Sequence, residues 1–299
     1  MDLKSYFKGG GLIFDLKAGF ITAIVALPLA IAFSLASGVQ PIMGIWTAII
    51  AGILGSTFGG SKFSITGPTG AMAIIILATT TKFGIEGLLL AGFLAGVIQI
   101  IFGIVKLGKL VKYIPLTVIV GFTAVIGILI FIGQIGNFFG LSLSPQEQVW
   151  NTFLEIYKNI GNVKNYAIII SLFTIFILTL FPILFKKTKY FRNVPPSIIV
   201  LFISGIAVFA FSLSVPTVGA IPRGFPEINL INFDFNLLKN ILPSAFTIAL
   251  LGSIEALLCA VVCDGMTNTK HESDKELIGQ GVTNLILPFF MAIPATAAI

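Results

Sequence analysis

Uncharged stretches of membrane-crossing length decide what this chain can fold into. No charged residue lies between Lys17 and Lys62, and further uncharged stretches cover 63–81, 87–105, 113–146, 165–185, 193–222 and 277–299; the stretch 240–263 holds one acid. A helical pass needs about 20 apolar residues. Each stretch is long enough for one pass and the first for two, with a break at Ser37-Gly38-Val39-Gln40-Pro41. Only 10% of residues are charged, against about 25% in soluble domains, so a water-facing surface cannot be built from this chain. The apolar stretches are continuous and lack the alternation of a transmembrane strand, which excludes a β-barrel. The chain is expected to be an all-α, multi-pass membrane protein with nine spans and the start of a tenth, restarted at Pro294.

The basic residues set the expected orientation. With the N-terminus in the cytoplasm, the inner segments hold Lys4, Lys8, Lys17, Lys106, Lys109, Lys112, Lys186, Lys187, Lys189, Arg192, Lys270 and Lys275. The outer ones hold Lys82, Lys158, Lys164, Arg223 and Lys239, and Lys62 lies in a loop of unassigned side. That asymmetry follows the positive-inside rule. It also accounts for the net charge of +6 without a nucleic-acid partner.

The third span is unlike an ordinary membrane helix. A helix from Pro68 to about Thr81 would be about 21 Å long, short of a roughly 30 Å hydrocarbon core. It should therefore begin inside the membrane, with Pro68 at its first position and Phe63–Thr66 extended before it. Non-helical backbone at that depth is tolerated only when buried in protein or lining a cavity. A helix N-terminus there offers unpaired N–H groups and about half a positive charge, a seat for an anion. At an offset of 227, Gly38 falls on Gly265, Gly52 on Gly279, Thr69 on Thr296 and Ala71 on Ala298. Thr69 and Thr296 would open two half-helices, and because the offset moves the first span onto the eighth, seven spans on and an odd number, the repeat is inverted, as in secondary transporters.

Of the acids, only Glu255 is expected deep in the membrane, about 13 Å along a helix from Asp264. An ionised carboxylate there is costly and marks a functional site by default, either taking up and releasing a proton or pairing with a cation. Cys259 and Cys263 share a helix face and suit packing better than a metal. His271 is expected in a solvated loop. Gly92 and Gly96 form a small-xxx-small pair for close helix packing, and Gln99, Gln134 and Asn137 are candidates for hydrogen bonds between helices. No Walker motif, paired intramembrane carboxylates or activated nucleophile is present, so neither an enzyme nor a cofactor is expected.

The residues Asp15-Leu16-Lys17-Ala18-Gly19-Phe20, Ala26-Leu27-Pro28-Leu29-Ala30 and Gly59-Gly60-Ser61-Lys62-Phe63-Ser64-Ile65-Thr66-Gly67-Pro68-Thr69 resemble the opening of the SulP anion transporters. Gly252-Ser253-Ile254-Glu255-Ala256-Leu257-Leu258-Cys259, Asp264-Gly265-Met266-Thr267, Lys270-His271 and Glu276-Leu277-Ile278-Gly279-Gln280-Gly281 are similar to the bacterial branch with a four-carbon dicarboxylate transporter and bicarbonate transporters. The resemblance implies an inverted-repeat fold of seven plus seven spans, discontinuous at the third and tenth. A core domain (1–112 and 223–299) would carry the anion and slide against a gate domain (113–222). It implies an anion site between Thr69-Gly70-Ala71 and Ala295-Thr296-Ala297, with Phe33 lining it and Glu255 and Cys259 as the cation-coupling pair. It further implies a homodimer in the bacterial inner membrane, and four more spans and a STAS domain beyond Ile299.

Two departures bear on mechanism. Sodium-dependent bicarbonate members have Asp where this chain has Glu255, and Thr where it has Cys259; losing that hydroxyl removes a hard ligand for sodium. Relatives also carry Gly-Gly where this chain has Met291-Ala292. The expected function is secondary active transport of a small inorganic or carboxylate anion, with proton-coupled dicarboxylate uptake first. The alternatives are sodium-dependent bicarbonate transport, sulfate transport, and an anion channel or exchanger on the same fold.

Overall fold

The apolar stretches become helices in the computed structural model, which describes residues 11–109, 116–141, 143, 146, 148–185, 196–217, 224, 226, 228, 230 and 235–298. The orientation residues Lys4, Lys8, Lys112, Lys186, Lys187, Lys189, Arg192 and Arg223, the expected domain boundaries and Ile299 lie outside the described residues. In chain order the helices are α1 (Gly11–Ala36), α2 (Pro41–Phe58), α3 (Gly70–Ile104), α4 (Leu116–Phe138), α5 (Val149–Lys158), α6 (Asn165–Phe185), α7 (Pro196–Ala210), α8 (Phe235–Thr267) and α9 (Ser273–Ile286). Among the described residues, five helical segments are long and apolar enough to cross a membrane: Leu12–Ala36, Pro41–Phe58, Gly70–Ile104, Asn165–Leu184 and Leu237–Thr267.

Two three-residue strands interrupt this pattern. β1 (Ile65–Gly67) and β2 (Thr296–Ala298) pair antiparallel, Ile65 with Ala298, Thr66 with Ala297 and Gly67 with Thr296. The extended segment expected at 63–66 is thus met at Ile65 and Thr66, whereas Phe63 lies in a bend. The helix after it starts later than expected, at Gly70 rather than Pro68, with Thr69 at the N-cap in an extended conformation. The ladder holds the backbone extended up to Gly67, and the proline φ suits extended backbone as well as a first helical turn. The helix breaks at Gly84, whose φ of 70° is a left-handed value suited to glycine. Spans three and four are thus joined by a kink.

The second repeat departs further from expectation. Thr296 lies on β2 and opens no helix. Pairing with β1 holds the backbone of Thr296–Ala298 extended. Gly38 takes the left-handed turn after α1, whereas Gly265 stays helical and Asn268 takes that turn after α8. Identical residues at the 227 offset are therefore not conformationally equivalent at that turn.

The chain divides into two compact units. In one, comprising 1–28, 135–143 and 156–217, α6 packs on α7. In the other, comprising 29–134, 144–155 and 218–299, α3 packs against α8 and α9 around Met72, Ile76, Leu88, Ile241, Ile248 and Ile293. Gly96 makes the α3–α9 approach possible. A Cβ there would collide with the Leu285 amide nitrogen, and one on Gly281 would lie 2.8 Å from the Gly96 carbonyl. Of the small-residue pair expected on the fourth span, Gly96 serves this contact, whereas a Cβ on Gly92 would meet Pro294 at 3.1 Å.

Candidate functional site

The site begins where β1 gives way to α3. Thr69 is the N-cap, yet its side chain makes no capping bond to its own helix. Its hydroxyl donates instead to Oε2 of Glu255 on α8, at 2.9 Å. Among the described residues nothing accepts from the N–H groups of Gly70, Ala71 or Met72, the first turn of α3. An uncapped first turn carries the positive end of the helix dipole and free donors. Phe33 closes one side: a Cβ on Gly70 would lie 3.2 Å from its ring, and would collide with Ile130.

The second half of the site lies across the ladder. The register sets Gly67 opposite Thr296 and Thr66 opposite Ala297, so Ala295-Thr296-Ala297 runs beside the entry to α3. The Thr296 hydroxyl donates to the Gly252 carbonyl of α8 at 2.7 Å. Both threonine hydroxyl protons are therefore committed within the protein, and the free donors facing this region are backbone N–H groups. Cys259, one turn beyond Glu255, donates to the Ala298 carbonyl at 2.8 Å and lies 3.8 Å from the Ser64 hydroxyl. The fold thus brings Phe33, Thr69, Gly70, Ala71, Glu255, Cys259, Ala295, Thr296 and Ala297 into one neighbourhood, drawn from four separate stretches of chain.

Several polar residues around it were not singled out from the sequence. Glu276, near the start of α9, is buried as well as Glu255. Its Oε2 accepts from the N–H groups of Gly60 and Ser61 at 2.7 and 2.9 Å, because the loop after α2 folds over the start of α9. Gln280 donates to Glu276 and to the Thr66 hydroxyl, each at 2.9 Å. Asn284 pairs with both peptide groups of Ala295, and Thr47 accepts from the Ile293 N–H at 2.8 Å. Spacing held the signal: Glu276, Gln280 and Asn284 recur every fourth residue along one face of α9. His271 also departs from expectation. It is partly buried, with its Nδ1 2.7 Å from Asp264 and its Nε2 2.9 Å from the Ser273 hydroxyl. Among the described residues no group of three His, Cys, Asp or Glu side chains could hold a metal ion.

Residues 12–299 match the family described as the Sulfate permease family. The chain belongs to the sulfate permease family. It is 43% identical over 291 residues to the putative sulfate transporter YvdB of Bacillus subtilis, covering 95% of this chain and 54% of that one. It is 37% identical over 297 residues to the bicarbonate transporter BicA of a Picosynechococcus species, covering 95% and 51%. The chain thus spans about half the length of these curated relatives. Its fold matches the transmembrane domain of a cyanobacterial bicarbonate transporter BicA with a TM-score of 0.84 at 31% identity, covering 100% of this chain and 76% of that one. Murine Solute Carrier 26 family member A9, an anion transporter solved in an inward-facing state, shares the sulfate permease fold with a TM-score of 0.83 at 20% identity, over 96% and 52%.

Proposed function

We propose that this protein is a secondary active transporter that carries a small oxyanion into the cell in symport with a proton. The carrying observation is the Thr69–Glu255 hydrogen bond, which ties the uncapped first turn of α3 to a buried carboxylate. An ionised Glu255 opposes an anion at that turn, and a neutral one does not. By linkage, each ligand then favours uptake of the other to the same degree. The substrate would sit between the N–H groups of Gly70 and Ala71 and the stretch Ala295-Thr296-Ala297, with Phe33 as an apolar wall. The thiol of Cys259 donates to a carbonyl and is a poor ligand for sodium, which supports the proton.

The names of the two relatives favour sulfate or bicarbonate over the dicarboxylate expected from sequence. Backbone N–H groups suit either, because they read charge and size more than shape. The N-terminus is assigned to the cytoplasm on the distribution of Lys and Arg, and the stretch 113–222 is assigned to the gate. The test is uptake of labelled sulfate, bicarbonate and succinate into proteoliposomes under an imposed proton or sodium gradient. Proton-driven uptake of sulfate or bicarbonate is expected. Sodium-driven uptake would overturn the coupling, and succinate alone would overturn the substrate class.

A further inference from the structure

One face of α9 reaches both halves of the site. Glu276 holds the chain entering β1 through the N–H groups of Gly60 and Ser61. Gln280, one turn on, holds Thr66 within β1 at 2.9 Å. Asn284, one turn further, holds Ala295 at the entry to β2: its Nδ2 donates to the Ala295 carbonyl at 2.8 Å, and its Oδ1 accepts from the Ala295 N–H at 2.7 Å. The amide thus pairs with a peptide as a neighbouring strand would. Its orientation is set from behind, where the same Nδ2 donates to Oε1 of Gln99 at 2.8 Å. Asn284, Gln280 and Gln99 are each fully buried, so water cannot replace these bonds, and losing a partner strands a buried polar group.

We propose that the Glu276–Gln280–Asn284 face of α9 is a splint that fixes the spacing of the two half-sites, with Asn284 the positioning residue for Ala295-Thr296-Ala297. This rests on the transport reading above. A helix is stiff along its axis, so three ties on one face lock two extended segments that are far apart in sequence into one geometry. The consequence for an anion is direct, since donors on Gly70 and Ala71 act together with the facing segment only if their separation is held. Asn284 itself touches no substrate; it acts through the Ala295 peptide.

The test uses the full-length protein with Asn284→Ala, Asn284→Asp and, as a neighbouring control, Thr283→Val, which loses only a bond to Gly279 within α9. Two quantities are read: amide hydrogen exchange over residues 293–298, and the apparent KM and maximal rate for sulfate and bicarbonate uptake. Asn284→Ala is expected to speed exchange there and raise KM about tenfold, with a smaller change in rate. Asn284→Asp keeps the acceptor for the Ala295 N–H and is expected to fall between. Thr283→Val is expected to change neither. Unchanged exchange in Asn284→Ala would overturn the splint, and faster exchange with an unchanged KM would overturn the positioning role. If the unmodified protein takes up neither anion, the transport reading fails and the positioning role with it; exchange alone then decides the splint.

Discussion

The Thr69 hydroxyl donates to the Glu255 carboxylate across 2.9 Å, joining the residue that opens the broken helix α3 to the buried acid of α8. A threonine at an N-cap ordinarily bonds its own helix. Here the side chain is turned to a different helix, which leaves the first turn of α3 with free N–H groups and gives the carboxylate a donor. Thr69→Val keeps the shape and removes that donor. Uptake by Thr69→Val in proteoliposomes is expected to fall at least about tenfold, with Thr69→Ser retaining most of it, since an unpartnered buried polar group costs about 1–3 kcal/mol. Equal loss in both variants would place the role of Thr69 in its methyl group.

Met291 follows the turn Leu287–Phe290, and its φ of 53° lies in the left-handed region. For a non-glycine residue that conformation costs about 1–2 kcal/mol. Met291→Gly removes the strain but loses a partly buried side chain packed on the core around Ile293, so the two effects offset and thermal stability in detergent is expected to be nearly unchanged. Met291→Val places a branched side chain at a positive φ and is expected to lower stability by about 1–2 kcal/mol. Equal melting temperatures for Met291→Val and the unmodified protein would show that the turn is not constrained.

How much of this could be read beforehand depended on whether a residue's partner was local. The helices follow from apolar stretches, and the half-helix after Phe63–Thr66 follows from a length too short to cross a bilayer. Glu255 stood out because nothing nearby in sequence could offset its charge. Glu276 did not, because its position beside a loop reads as solvent-exposed until the chain at Gly60 and Ser61, far away in sequence, folds over it. Gln99 makes the bond between helices expected of it, but its partner Asn284 is an ordinary polar residue on a helix until packing at Gly96 brings α3 and α9 together. The strand at Thr296 follows from pairing with β1, which no local pattern announces.

Glu276 provides a direct measure of what the loop over α9 contributes. Glu276→Ala leaves two N–H groups without an acceptor and is expected to destabilise the protein by about 2–4 kcal/mol, read from unfolding in an SDS titration. Glu276→Gln keeps one carbonyl oxygen in place and is expected to cost less than half as much. A loss of similar size in both would mean that the charge matters more than the geometry.

Thr47 and Asn284 hold one short segment at two points, the N–H groups of Ile293 and Ala295. Once either tie is lost the segment can relax, so the second loss costs less. The double variant Thr47→Val, Asn284→Ala is therefore expected to be more stable than the sum of the single losses predicts, by about 0.5–3 kcal/mol. Strict additivity in the same titration would show that the two ties act independently.

The central claim, that Glu255 couples proton and anion uptake through Thr69, is tested most directly by Glu255→Gln in proteoliposomes, a substitution that keeps the hydrogen-bonding shape and removes titration. The expected result is that exchange of labelled sulfate or bicarbonate against the same anion continues, while uptake no longer responds to an imposed proton gradient. Proton-driven accumulation that survives Glu255→Gln would contradict the claim and require the coupling proton to bind elsewhere.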